Sequence, residues 1–300
     1  MSRATSRARN RLNRGDSAWA YLFIIVALLV YALFTAYPVL SAFIISFQEY
    51  SPRGSTYIGI DNYTSILQSE LFYKSIRNTI IYTVLTVPVA LILSFAVSIM
   101  IMPLQKRLQT TFKAVYYLPA VASGVALAVV WLWIFDPMSA GVLNRFLGFF
   151  GLDSQNWLGS SSTAMFSLVL MSWLSSHGTA IIIYVAALLG IDSSYYEAAD
   201  IDGANFFQKM WHIVIPCLKP TTLFLLVTGV IGSFQVFQNA YLMTGGGPNH
   251  ATTMVGLLIF DTAFKYFEFG KAAAQSLLLA LMIGIIAFLQ FKFLGKDVEY

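Results

Sequence analysis

Six long apolar runs, near residues 18–47, 76–102, 113–135, 163–189, 221–242 and 272–294, constrain this chain more than any other feature. About 20 residues rising 1.5 Å each match the hydrocarbon thickness of a bilayer, so every run is long enough to cross one. Backbone N–H and C=O groups find no water inside hydrocarbon, and an apolar segment satisfies them internally as an α-helix. The expected fold is therefore all-α, a polytopic membrane protein of about six transmembrane helices. Composition agrees: 58% of residues are hydrophobic and 11% charged, against about 25% charged in an ordinary soluble domain. The first run is longer than a bilayer is thick, so it tilts or continues beyond the membrane as a helix or turn near Tyr37-Pro38.

Charge sets the expected orientation. Arg3, Arg7, Arg9, Arg11 and Arg14 precede the first run in a basic tail, taken as residues 1–17, ahead of a membrane domain over 18–300. The tail resembles the start of a signal peptide, but the apolar stretch after it is too long and has no small-residue cleavage site. With that tail inside, 12 of the 18 Lys and Arg residues fall on the inner side and 6 on the outer. The bias predicts both termini inside, with outer loops at 48–75, 136–162 and 243–271. The net charge of +4 then reflects membrane topology and calls for no nucleic acid.

Most other punctuation in the sequence has a modest reading. Pro52-Arg53-Gly54-Ser55 marks an outer turn. Trp131, Trp133 and Trp157 suit an interfacial aromatic belt. Cys217, the single cysteine, is expected to fill a small apolar packing position, and His177 to be a buried packing residue.

The inner loop 190–220 is richer. Ser194 and Glu197 have capping-box spacing, Glu197-Ala198-Ala199 favours a helical turn, and Gly203 can end it in the left-handed conformation. Asn205 and Gln208 repeat the cap spacing ahead of Phe206, Phe207, Met210 and Trp211, and Pro216 closes the segment. The resulting helix–turn–helix offers apolar side chains to a soluble partner; on physical grounds alone it could equally be a plain connector.

Glu197-Ala198-Ala199, three residues to Gly203 and nine more to Ile213-Val-Ile-Pro216 resemble the EAA motif of permease subunits in ATP-binding cassette importers. Ile215 stands where the motif usually has leucine. Ser233–Pro248, Phe264–Ser276, Tyr37-Pro38 with Ser46-Phe47, and Gly59–Tyr63 are similar to carbohydrate permeases of the maltose and glycerol-phosphate type. The resemblance implies a non-catalytic pore subunit in a bacterial cytoplasmic membrane, importing a di- or oligosaccharide by alternating access. It implies a homologous second permease, two ATPases that bind ATP and Mg, and an extracytoplasmic sugar-binding protein as partners, with no cofactor in this chain. It makes the 190–220 segment a coupling helix, with Glu197, Ala198, Ala199, Gly203, Ile213 and Pro216 at the ATPase contact.

The residues themselves exclude several chemistries. Gly-Lys occurs at 270–271 and 295–296 with no following Ser or Thr, so there is no phosphate-binding P-loop. No Ser-His pair, metal-ligand cluster or paired carboxylates stand at catalytic spacing. In the fifth run Thr228, Gly232, Gln235 and Asn239 recur at spacings of four, three and four, which places them on one helical face with Gln238 beside them. That face suits a sugar pathway, with Gln235, Gln238, Asn239 and Tyr241 as candidate substrate contacts, or else helix–helix packing. Rival functions are the same permease carrying glycerol phosphate and a gradient-driven transporter. The first five spans hold no carboxylate, which argues against proton coupling.

Overall fold

The computed structural model describes residues 14–51, 54–138, 141–175 and 177–295. Arg3, Arg7, Arg9, Arg11, Lys296, Pro52, Arg53 and Ser176 lie outside these residues.

α1 (Arg14–Tyr31) and α2 (Tyr37–Ile45) make one long helix interrupted by a wide π turn over Ala32–Ala36. The cause is Pro38, which lacks an N–H and whose ring would press on the carbonyl four residues back in a regular helix. Widening the preceding turn, so that the Tyr37 N–H reaches the Ala32 carbonyl, relieves that clash without ending the helix. The chain does not turn at Tyr37-Pro38.

The connection 48–75 is more structured than expected. β1 (Gln48–Ser51) and β2 (Gly54–Tyr57) pair antiparallel, from Gln48 opposite Tyr57 to Ser51 opposite Gly54. α3 (Asp61–Leu67) follows. α4 (Glu70–Ile101) then starts before residue 76 because the Ser69 hydroxyl accepts the Phe72 N–H and caps it.

Three of the remaining runs are not single helices. α5 (Lys106–Val121) and α6 (Gly124–Ile134) divide the third run and meet at 97°. After α7 (Val142–Phe149), α8 (Ala164–Ser175) and α9 (Gly178–Leu189) divide the fourth run at His177. α10 (Ser193–Ile201), α11 (Phe206–Lys209), a π turn over Met210–Val214 and α12 (Ile215–Cys217) fill the 190–220 segment. Pro216 does not close that segment: it is absorbed as Pro38 is, with the Ile215 N–H reaching the Met210 carbonyl. α13 (Lys219–Phe234) and α14 (Gln238–Thr244) divide the fifth run, and α15 (Val255–Phe260) and a π turn over Asp261–Lys265 lead into α16 (Phe269–Leu294).

Tyr21–Ile45, Glu70–Ile101 and Phe269–Leu294 are each long and apolar enough to cross a membrane alone; taking α5 with α6, α8 with α9, and the bent pair Phe206–Cys217 with α13 as one span each gives up to six. α4 is the central post, with α8, α9, α13 and α15 packed on it. Hydroxyls tie the helices together where lipid gives little hydrophobic drive for association. The Ser233 hydroxyl donates to Thr83 at 2.9 Å, Ser98 to the Ile181 carbonyl at 3.2 Å, and Tyr184 to Thr222 at 3.2 Å.

Two smaller expectations are corrected. Trp131 is not in an aromatic belt: it is 7% exposed and donates its indole N–H to Ser175 at 2.9 Å, whereas Trp133 is 63% exposed. Cys217 does not fill a packed position but is exposed, at the last position of α12.

Candidate functional site

The 190–220 segment is a helix–turn–helix whose geometry follows from a few residues. Its first helix is capped by Asp192 rather than Ser194: the carboxylate accepts the Ser194 N–H at 2.9 Å, which starts the helix at Ser193 and removes the expected Ser194–Glu197 box. That bond holds the Asp192 carboxyl below its usual range. At the other end Gly203 sits at φ +71°. The Ala204 N–H reaches the Ala199 carbonyl at 2.9 Å and the Gly203 N–H reaches Asp200 at 3.1 Å, the paired bonds of a Schellman turn. A Cβ at Gly203 would meet nothing within 4 Å, so only the backbone conformation demands glycine there. Asn205 and Gln208 form the expected capping box, at 3.0 and 2.7 Å. Lys209 pairs with Asp200 across the turn.

This element is both anchored and open. Tyr196 and Met210 pack into a core cluster with Tyr184 and Leu188 of α9, Val214 of the π turn, Leu218, and Leu225 of α13. Burial, together with the nearby Cys217 thiol, pushes the Tyr196 hydroxyl above its ordinary pKa. On the other side Glu197 and Ala198 are exposed, as are Ile201 at 88%, Phe206 at 61%, Phe207 at 71% and Trp211 at 67%. A force on that apolar face reaches two membrane helices through Tyr196 and Met210.

The second site lies where the three broken spans bend. A cavity of about 540 Å³ is bounded by α4, α8, α9, α13 and the start of α14, and a second of about 250 Å³ adjoins it toward α5 and α6. Ser172, Thr179 and Asn239 line both. The Tyr82 side chain lies within hydrogen-bonding reach of Ser172 and Asn239. Tyr82, Thr86, Thr228 and Ser233 add hydroxyls to an otherwise aliphatic wall.

Close approach accompanies the bends. A Cβ at Gly178 would come within 2.4 Å of the Tyr116 carbonyl, and one at Gly124 within 2.7 Å of the Gln238 amide. The breaks in the third, fourth and fifth runs therefore rest on one another. His177, at the break in the fourth, is 8% exposed and its ring contacts the Trp173 carbonyl.

Of the four substrate candidates, Asn239 lines both cavities, and Thr228 and Gly232 line the larger one. Gln235 does not. The helix ends at Phe234, and Phe237 at φ −135°, ψ −56° resets its phase, so the spacing of three from Gly232 to Gln235 and four on to Asn239 no longer selects one face. Gln238 packs against Gly124, and Tyr241, 45% exposed, stacks with Phe237 at 5.4 Å and meets Phe260 edge-on at 5.2 Å. The expected single polar face on one straight fifth helix is thus corrected. The hydroxyl side of the cavity was missed, although Ser75, Thr79, Tyr82 and Thr86 follow the same four–three–four spacing and are all buried.

Residues 63–300 match the family model described as binding-protein-dependent transport system inner membrane component. The chain is 32% identical over 278 residues to the arabinooligosaccharides transport system permease protein AraP of Bacillus subtilis, covering 92% of this chain and 88% of that one. It is 30% identical over 291 residues to the lactose transport system permease protein LacF of Rhizobium radiobacter, with coverage of 95% and 96%. To the sn-glycerol-3-phosphate transport system permease protein UgpA of Yersinia pestis it is 33% identical over 285 residues, covering 93% and 95%. The fold is similar to a chain in the crystal structure of a bacterial ABC transporter involved in import of the acidic polysaccharide alginate, with a TM-score of 0.81, 24% identity, and coverage of 94% and 96%.

Proposed function

The chain belongs to the permease subunits of binding-protein-dependent ATP-binding cassette transporters, in their carbohydrate-uptake branch, and we propose that it forms half of the pore of an importer for a neutral di- or oligosaccharide. Membership makes it a multi-pass, non-catalytic membrane subunit that carries no cofactor and works with a binding protein. The proposal adds a homologous second permease, two ATPases that bind ATP and Mg, and a bacterial cytoplasmic membrane with both termini inside. Residues 1–17 are proposed as a basic cytoplasmic tail and 18–300 as the permease domain.

The observation that carries the proposal is the convergence of three span breaks on the hydroxyl-lined cavities. Broken helices at membrane depth expose backbone polar groups only where a cavity uses them. A combined lining of Tyr, Thr, Ser and Asn with aliphatic walls matches the hydroxyls and apolar ring faces of a sugar. Among the described residues no Lys or Arg lines either cavity, which favours neutral sugar over glycerol phosphate despite the resemblance to UgpA. Asn239 bonds sugar hydroxyls during passage, with Gln235, Gln238 and Tyr241 on the adjoining surface. ATP binding closes the partner ATPases on α10–α11, where Glu197, Ala198, Ala199 and Gly203 form the docking turn, and Ile213 and Pro216 link it to α13. That motion turns the pore outward to receive sugar, and hydrolysis resets it.

Replacing Asn239 with Leu removes about 0.5–1.5 kcal/mol per hydrogen bond to sugar, up to roughly tenfold in affinity. Transport per assembled complex, compared across several sugars, should fall unequally while assembly persists. A uniform loss that tracks the yield of complex would mean that Asn239 only packs helices.

A further inference from the structure

α7 carries a surface that neither the pore nor the coupling element uses. At about 100° per residue, its eight residues divide into three sectors. Leu143, Asn144 and Leu147 face the protein. Asn144 is 2% exposed and fully engaged: its amide donates to the carbonyls of Asp136, Pro137 and Gln155 at 3.0 Å each. Its carbonyl oxygen accepts the Gln155 N–H and the Trp157 indole N–H, both at 2.9 Å. The helix is therefore fixed in rotation. A second sector holds Val142, Phe146 and Phe149, at the helical spacings of four and three, and Phe150 extends it; the three rings meet edge-on at 5.1 and 5.4 Å. Phe149 is 84% exposed and Phe146 and Phe150 are each 61% exposed. Arg145 and Gly148, both exposed, occupy the third.

We infer that α7 lies in the membrane interface, with Phe146, Phe149 and Phe150 immersed among acyl chains and Arg145 at the headgroups. Continuity with the exposed apolar face of α6, part of a run long enough to cross the bilayer, selects lipid as the occupant. Val125, Val129, Val130 and Trp133 of α6, and Met138 after it, are each more than half exposed, and α6 packs against α7. One apolar face, one polar flank bearing a single cation and a protein-facing side make three environments around one helix, as at the boundary of bilayer, water and protein. The inference requires only that α6 meets lipid and is independent of the cargo.

The assembled transporter, carrying Cys217→Ser and a spin label at Phe146→Cys, Phe149→Cys or Arg145→Cys, is reconstituted in vesicles of phosphatidylethanolamine and phosphatidylglycerol. Collision with oxygen should exceed collision with a water-soluble nickel chelate several-fold at 146 and 149, with the reverse at 145. Nickel access at 149 equal to that at 145 would overturn the inference in favour of an aqueous face. Exclusion of both probes at 146 and 149 would overturn it in favour of a protein partner. Unsubstituted complex in vesicles containing a photoactivatable phospholipid gives an answer free of folding effects. Adducts should form on both α6 and 142–150, and adducts on α6 alone would contradict an interfacial α7.

Discussion

Gly203 concentrates the coupling argument in one residue. It alone occupies the left-handed position from which both Schellman bonds back to Ala199 and Asp200 are made. A Val there costs about 1–2 kcal/mol for the left-handed conformation, with open space around it, so the loss comes from the backbone and not from a clash. Gly203→Val should lower transport and ATPase docking while sugar capture by the binding protein is unchanged; wild-type docking measured by pull-down of the ATPases would contradict the coupling role. Asn205→Ala should weaken the second helix by about 1 kcal/mol, a milder transport defect. Gly203 and the Asn205–Gln208 box were legible in the sequence because both are local, set by a few neighbouring residues. Asp192 was not, because Ser194 offers a competing cap two residues away and sequence alone does not say which starts the helix. Asn239 was legible as a polar residue in a span, but Gln235 was assigned to its face by a helical phase that ends at Phe234.

At the scale of elements, hydropathy located the six apolar runs and could not show that three of them are broken. An apolar run has the same composition whether it is straight or bent. Beside the breaks these runs approach distant segments closely, Gly178 on the Tyr116 backbone and Gly124 on the Gln238 side chain, which no local pattern reports. The hairpin at 48–57 was hidden for a related reason: its second strand is exposed throughout and has no apolar alternation to detect. Asn144 shows the same limit, since its bonds to Asp136, Pro137, Gln155 and Trp157 hold together a loop that no local pattern resolves. Asn144→Leu should leave several of these buried groups unpaired, at about 1–3 kcal/mol each, and open the 136–157 segment to limited proteolysis while the rest resists. Cleavage no faster than in the wild type would show that other contacts hold α7. Cys217, exposed on α12, offers a topology test without an added residue. The proposed orientation puts it on the cytoplasmic side, so an impermeant maleimide should label it in inverted vesicles and leave it unlabelled in intact cells. Labelling in intact cells would reverse the orientation.

Over the whole molecule, α4, α9 and α13 join the two sites. The coupling element is pinned to α9 and α13 through the Tyr196–Met210 cluster, and those helices, with α4, wall the large cavity. The proposed coupling therefore works by movement at one end reshaping the cavity through packed helices. The central claim is that this pore moves a neutral sugar under ATP control, and uptake into proteoliposomes tests it most directly. The chain is reconstituted with its partner permease and ATPases, ATP is enclosed, and labelled oligosaccharide is supplied outside with the binding protein. Uptake should require both ATP and the binding protein, persist when proton and sodium gradients are collapsed, and be unaffected by excess glycerol phosphate. Uptake that continues without ATP and stops when the gradients are collapsed would contradict the account.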